Sequence, residues 1–425
     1  MLPTKPEYEK YINSVKYVQS VYNGSEEAKQ HLQQFTKENP KKFDNRKEVA
    51  TLNNFVKRTV NAMRNIIFRN PTDASLLPPS FDEFKKAVDF TDSLNEFAKD
   101  ITDALVRDGE TWILVDSLQG EATSRAEERE LGLRPYFVHI NRASVVNWRY
   151  DNQGRFEFVV IRENYVDIDG FKEETKEQDK VWYADGRVQT YRDDELYKEY
   201  QLQINQVPIV RLIDSKTPSL LDQAKLNVSH MNRNSELDQY IRVASAPVPV
   251  TYKMTSDDGG ITTIGVNDGI AFSSGKDEAG FEWVSLKAEN TEAISNRIKD
   301  YEEAMLDIAI TFASSSQVKT ATQVETESTE DKGKLSNIAQ IVEDGLNQAL
   351  RLIEMFNESY KLTDEQIVII NRDFDSARLA PEQIAQLKDL YINEVISWET
   401  FITLLEKGEV LTIEDKEKEK ASLNR

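Results

Sequence analysis

Thr291-Glu292-Ala293-Ile294-Ser295-Asn296-Arg297-Ile298-Lys299-Asp300-Tyr301-Glu302-Glu303-Ala304-Met305-Leu306-Asp307-Ile308-Ala309-Ile310-Thr311-Phe312 is the stretch whose reading decides the fold. Ile294, Ile298, Tyr301, Met305, Ile308 and Phe312 recur at steps of four and three. That spacing puts them in one stripe of a helix, with Asp300, Glu302, Glu303 and Asp307 mostly outside it. Ser314, Ser315, Ser316, Gln317, Val318 and Lys319 follow and carry no apolar period. A second helical pattern then runs through Leu335, Ile338, Val342, Leu346, Ala349, Ile353 and Phe356. Helical from Thr320 to Ser359, it would span about 60 Å at 1.5 Å per residue. One narrow apolar stripe cannot bury so long a rod all round. It is expected to cross a large assembly or to line a surface shared with copies of itself.

Upstream, Pro218 precedes a helix from Leu220 to about Ala246 that is rich in Asn, Asp and Gln. Pro247 and Pro249 end it, because proline lacks the donor and clashes with the preceding turn. Residues 248–286 read as a small β insert with strands at Val248–Tyr252, Ile261–Ile264, Gly269–Phe272 and Phe281–Leu286. A β module therefore sits between two long helices, 220–246 and 290–313.

Farther out, residues 5–115 read mainly as helix, with Tyr8, Tyr11, Val15 and Val18 on one face and Leu52, Val56, Val60, Met63 and Ile67 on another. Phe84 to Val106 is expected to be helical and to stop near Gly109, before a strand at Thr111–Val115. Residues 118–132 are charged and read as a surface loop or short helix. From Pro135 to Ile213 the period becomes two, which indicates antiparallel strands. Asp151-Asn152-Gln153-Gly154 and Ala184-Asp185-Gly186-Arg187 form hairpin turns there. Beyond the long helix, Glu365–Asn371 reads as a strand, 381–407 as two helices, and the tail to Arg425 as frayed. The fold class is α+β.

The chain has 425 residues, no Cys, 53 basic and 74 acidic residues and a formal charge of −21. Two or three domains are expected at that length. Zero Cys excludes a disulfide scaffold, thiol catalysis and thiolate metal sites. No run approaches the length of apolar residues a membrane span needs, and Met1-Leu2-Pro3-Thr4-Lys5 lacks the apolar core of a signal peptide, so no membrane partner is expected. The acidic total argues against a surface that grips phosphate everywhere. Residues 1–72 run the other way, with thirteen Lys/Arg against seven Asp/Glu, which reads as a solvated helical face.

No phosphate loop and no Gly-x-Ser-x-Gly elbow occur. The three histidines, His31, His139 and His230, fall in different elements without metal-ligand spacing. Glu325, Glu327, Glu330 and Asp331 could hold a divalent ion as oxygen ligands or form a solvated acidic face; on a helix they do not converge as a metal site requires. No enzyme, cofactor or resident metal is expected.

Several strings carry a resemblance. Pro218-Ser219-Leu220-Leu221-Asp222-Gln223-Ala224-Lys225-Leu226-Asn227, Thr320-Ala321-Thr322-Gln323-Val324-Glu325, and Asn371-Arg372-Asp373-Phe374 followed by Ile396-Ser397-Trp398-Glu399-Thr400 resemble, in that order, segments of tailed-bacteriophage portal proteins. Gln323 stands where that family more often has Glu. The resemblance spans most of residues 80–410. It implies a ring, usually dodecameric, at one capsid vertex, with double-stranded DNA passing through its centre. It implies a wing at 1–217, a stem at 218–246 and 290–313, a clip at 247–289, a tunnel loop and long tunnel helix at 314–359, and a wing strand with a crown at 360–425.

By the same resemblance, 314–319 would face DNA without reading its sequence, and 294–312 would pack the stem. The implied partners are the terminase large subunit, head-completion or adaptor proteins, capsid and scaffold. The implied location is the virion vertex, with assembly in the host cytoplasm. The alternatives are a metal-dependent nuclease or phosphoesterase using the clustered carboxylates, and an oligomeric phage adaptor or scaffold without a channel.

Overall fold

The computed structural model describes residues 1–36, 38–117, 134–244, 248–252, 280–284, 289–313, 321–356, 360–365, 367–372, 386–390 and 395. The fold is α+β. Its helices are α1 (Pro6–Asn23), α2 (Ser25–Ala28), α3 (Pro40–Val49), α4 (Phe55–Ile67), α5 (Asp82–Lys86), α6 (Leu94–Asp108), α7 (Leu221–Ala244), α8 (Glu289–Ala313) and α9 (Ala321–Phe356). Two compact units form. One comprises Met1–Gln19, Lys57–Leu221 and Ile308–Arg425; the other comprises Ser20–Val56 and Asp222–Asp307.

The first unit holds two antiparallel sheets. One is ordered β2 (Pro135–Ile140), β1 (Glu110–Ser117), β8 (Ile209–Ile213). The other is a meander of β3 (Val145–Tyr150), β4 (Phe156–Asp169), β5 (Lys172–Tyr183), β6 (Arg187–Arg192) and β7 (Glu195–Gln201). The tight turns expected at 151–154 and 184–187 are present, with Gly154 and Gly186 at φ 79° and 83°. Between the sheets, Trp112, Trp148 and Trp182 share a core with Val159, Ile161, Leu202 and Ile209. Full burial of such side chains contributes roughly 1.5–3 kcal/mol each.

The central strand β1 is buried from Glu110 through Val115. α6 and α9 pack onto it, and α9 also crosses β8 and β2. Leu335, Ile338, Val342, Leu346, Ala349 and Ile353 are all under 5 % exposed. The long-helix stripe expected to serve neighbouring copies is thus covered by its own chain over residues 335–353. Gly345 lies in an unbroken helix and lets α9 approach Leu212 closely.

Two expectations are corrected. Phe84–Val106 is not one helix: α5 ends at Lys86, and the chain turns before α6. The Asp89 carboxylate accepts the Thr91 and Asp92 amides (2.9 and 2.7 Å), Phe90 takes φ 74°, and Ser93 Oγ caps α6 by accepting the Glu96 amide. Local Asp and Ser bonding outcompetes the helix there although the apolar period runs on. The end expected near Gly109 is observed, with that glycine in the left-handed region at φ 74°.

Among its described residues Glu365–Asn371 forms no strand but makes one isolated bridge, Asp73 to Ile369. Helix side chains bond part of the remaining backbone. Asn347 of α9 accepts the Val368 amide at 2.8 Å and donates to the Val368 carbonyl at 2.9 Å, and Glu343 accepts the Ile370 amide at 2.9 Å.

Residues 20–56, grouped by sequence with the wing, pack in the second unit with α7 and the first part of α8. β9 (Val248–Tyr252) and β10 (Gly280–Val284) pair antiparallel, as the outer strands of the expected β insert. Its inner strands, the segment 118–132 and the tail beyond 395 lie outside the described residues, and of the expected C-terminal helices only 386–390 is described, as helix.

Candidate functional site

α7 and α8 bracket the β insert and carry the residues singled out by sequence. They run antiparallel: Gln223 Nε2 donates to the Met305 carbonyl at 3.1 Å, and His230 Nε2 lies 3.0 Å from Glu302 Oε1. In the stripe, Met305 and Ile298 are buried (0 % and 8 % exposed), while Ile294, Tyr301 and Ile308 are half-buried. The Phe312 side chain and Ser314, Ser315, Ser316, Gln317, Val318 and Lys319 lie outside the described residues. Two of the five described stripe residues are therefore covered by the chain itself. Leu306, one residue off it, is 47 % exposed.

The buried side of α7 sets polar side chains beside the apolar Ala224, Val228 and Met231. Gln223, Asn227 and His230 are at most 3 % exposed, at helical steps of four and three. Asn227 donates to the Asn53 carbonyl at 2.8 Å and accepts the Phe55 amide at 3.0 Å, which ties the start of α4 to α7. Buried polar groups matched this way cost little when paired and much when shifted, so they fix the register of the helices they join. Gln223 and Asn227 belong to the string 218–227 on which the sequence resemblance rests.

Sequence reasoning missed Arg46, which counted only towards a basic surface. The Arg46 side chain is buried. It donates to Glu38 through Nε (2.8 Å) and Nη2 (2.9 Å), to Asn232 Oδ1 (2.7 Å), to Ser235 Oγ (2.9 Å) and to the Gln33 carbonyl (2.9 Å). Its guanidinium also stacks over Phe35 at 4.4 Å. The hydrogen bonds that Arg46 donates hold the Glu38 carboxyl below the usual carboxylate range. Phe35 and Phe43 flanking Glu38 and Arg46 were the only local signal.

In the first unit, Arg211 stacks on Trp112 and Trp148 and donates twice to Glu110 at 2.9 Å. Burial opposes its charge, but the Glu110 carboxylate more than offsets that, and the guanidinium titrates above its ordinary range. Arg142 donates to the Asp108 and Lys216 carbonyls. Arg211 and Arg142 thus both face the buried Glu110 carboxylate.

The histidines stay apart. His31 faces Ser20 at 2.6 Å and His139 faces Thr111 at 2.8 Å. Among the described residues no His, Cys, Asp and Glu cluster could hold a metal. Glu325, Glu327, Glu330 and Asp331 fall on α9 in a stretch whose side chains are outside the description. Among the described residues no helix is long and apolar enough to cross a membrane.

A family model described as "Domain of unknown function (DUF4055)" matches residues 219–357, from the start of α7 to the end of α9. No curated protein matches the chain. Among solved structures it is similar to chains of "Neck of native GTA particle computed with C12 symmetry", "Virion of native gene transfer agent (GTA) particle" and "Neck of empty GTA particle computed with C6 symmetry". Each is 8% identical with a TM-score of 0.40, and the similarity covers 83% of this chain and 89%, 89% and 90% of theirs.

Proposed function

We propose that the chain is a portal-type connector subunit. Copies form a ring at a capsid vertex, double-stranded DNA passes through the bore without being read, and the ring gives terminase and head-completion proteins a place to dock. Its work is structural rather than enzymatic.

The observation that carries this reading is the excursion in which antiparallel α7 and α8 bracket the β9–β10 pair, followed directly by the 36-residue helix α9. The resembling strings begin that excursion and that helix. α9 is about 54 Å long at 1.5 Å per residue. Residues 335–353 are anchored in the first unit, so the channel role is assigned to the N-terminal turns of α9 and to residues 314–319. A chain of charge −21 gives such a bore a repelling wall, along which phosphate slides rather than sticks.

Deleting 314–319 tests the channel role. Assembly is expected to survive while packaging or genome retention falls. Wild-type packaging by a ring lacking the loop would contradict it.

A further inference from the structure

The β4–β5 hairpin runs past its own sheet. β3 pairs with β4 as far as Ile161, and β6 pairs with β5 only over Asp179–Trp182. β4 and β5 nevertheless stay paired out to Asp169 and Lys172. Residues 163–169 and 172–178 thus form a two-stranded arm of about 23 Å, with no further strand beside it among the described residues. Its end is apolar and bare: Val166, Ile168 and Phe171 are 54 %, 65 % and 110 % exposed. Asp167, Glu173 and Glu174 stand beside them in the strands, Asp167 meeting Lys176 at 2.6 Å. Grouped apolar side chains at an exposed tip mark a contact surface.

A matching concavity lies on the same unit. Between the edge strand β8, the β3–β4 turn and α9 is a groove of about 510 Å³, with Tyr150, Phe156, Ile213, Leu352 and Met355 among its apolar walls. Three arginines line it, Arg155, Arg211 and Arg351, and no carboxylate does. Arg211 is committed to Glu110. Arg155 and Arg351 meet only the surface carboxylates of Asp151 and Asp364, at 3.0 and 3.3 Å. Exposed pairs of that kind are weak and readily exchanged.

Tip and groove cannot meet within one chain. The groove takes Gly154, Arg155 and Phe156 at the start of β4, while the arm tip follows Asp169 at its end. Fourteen residues of strand separate them by about 45 Å. We infer that the β4–β5 arm of one copy seats Ile168 and Phe171 in the arginine-flanked groove of a second copy. Its carboxylates then meet Arg155 and Arg351. Because the two patches differ, the contact is head-to-tail, the kind that builds rings or filaments rather than closed pairs. The inference rests on the self-assembly proposed above, but not on DNA or a capsid.

The chain has no cysteine, so single thiols report cleanly. Phe171→Cys and Met355→Cys chains, coexpressed and treated with a short bismaleimide, are expected to cross-link to one another, while either variant alone does not. Ile168→Asp with Phe171→Asp, and separately Arg155→Glu with Arg351→Glu, are expected to lower the oligomeric state with unchanged circular dichroism. Mixed, these two double variants retain one working arm and one working groove, so they should recover pairs and nothing larger. Absence of the 171–355 cross-link, as when the chain's remaining residues or a foreign acidic peptide fill the groove, overturns the inference. So does wild-type assembly by both double variants, which would leave the ring reading intact. A wild-type chain that stays monomeric overturns both.

Discussion

Gly345 of α9 and Leu212 of β8 meet with no room to spare: a Cβ on Gly345 would stand 2.6 Å from Leu212 Cγ and Cδ2. Gly333 on the same helix has nothing within 4 Å of that position. Gly345→Ala should therefore destabilise the protein by about 1–3 kcal/mol through overpacking. Gly333→Ala should stabilise it by about 0.5–1 kcal/mol through helix propensity. Urea unfolding of both variants checks this; a stabilising Gly345→Ala would contradict the packing of α9 on β8.

Arg46 should be the costliest single charge to remove from the second unit. Arg46→Ala leaves Glu38 poorly exposed and unpaired, and a loss of about 3–5 kcal/mol is expected. Arg46→Lys should recover little, since one ammonium cannot reproduce the bidentate pair or the stack on Phe35. Thermal unfolding of the two variants decides it; a Lys variant as stable as wild type would show that the fork geometry is unimportant.

Acid should act through His139 and Asp103 with opposite signs. Burial, aided by Arg107, holds His139 down to about 4, so the folded chain keeps it neutral. Its contribution is complete above the unfolded value of about 6.5 and is lost as pH falls from there to 4, by at most about 3 kcal/mol. Burial pushes Asp103 up to about 6 against the opposing pull of Arg64, which donates to it at 2.7 Å. Its contribution is complete below the unfolded value of about 3.9 and is lost as pH rises through 6. His139→Gln should flatten the loss between pH 6.5 and 4, and Asp103→Asn should remove the opposing term. Denaturant melts at one-unit intervals would show a parallel wild-type and His139→Gln pH profile if the histidine were not held neutral.

Two neighbouring residues of α8 should separate folding from assembly. Met305 is fully buried, and Met305→Glu is expected to unfold the second unit, at a cost of about 3–5 kcal/mol. Leu306→Glu, at a position 47 % exposed, should change stability by less than about 0.5 kcal/mol and weaken association instead. Calorimetry beside sedimentation velocity reads both. Equal effects of the two changes on folding would contradict the orientation of α8.

Much of the fold was legible because its signals are local. Flanking prolines placed α7, the 3.6-residue period placed α8 and α9, alternation placed the meander, and Gly154 and Gly186 marked its turns. The missed features are side chains reaching across sequence. Asp89 and Ser93 interrupt a helix whose apolar period continues, and Asn347 and Glu343 occupy the backbone that a strand at 365–371 would need. Burial of parts of the α8 and α9 stripes inside the chain was also hidden. Period reveals which face is apolar, but not whether its own chain or a neighbour covers it. Arg46 read as part of a solvated face because Asn232 and Ser235, two of its partners, lie far along the chain.

Native mass spectrometry of the purified full chain, paired with electron microscopy of the same sample, tests the central claim most directly. The account predicts one closed oligomer of defined stoichiometry with an open bore on its axis. Monomers, or solid particles without a central opening, would contradict it.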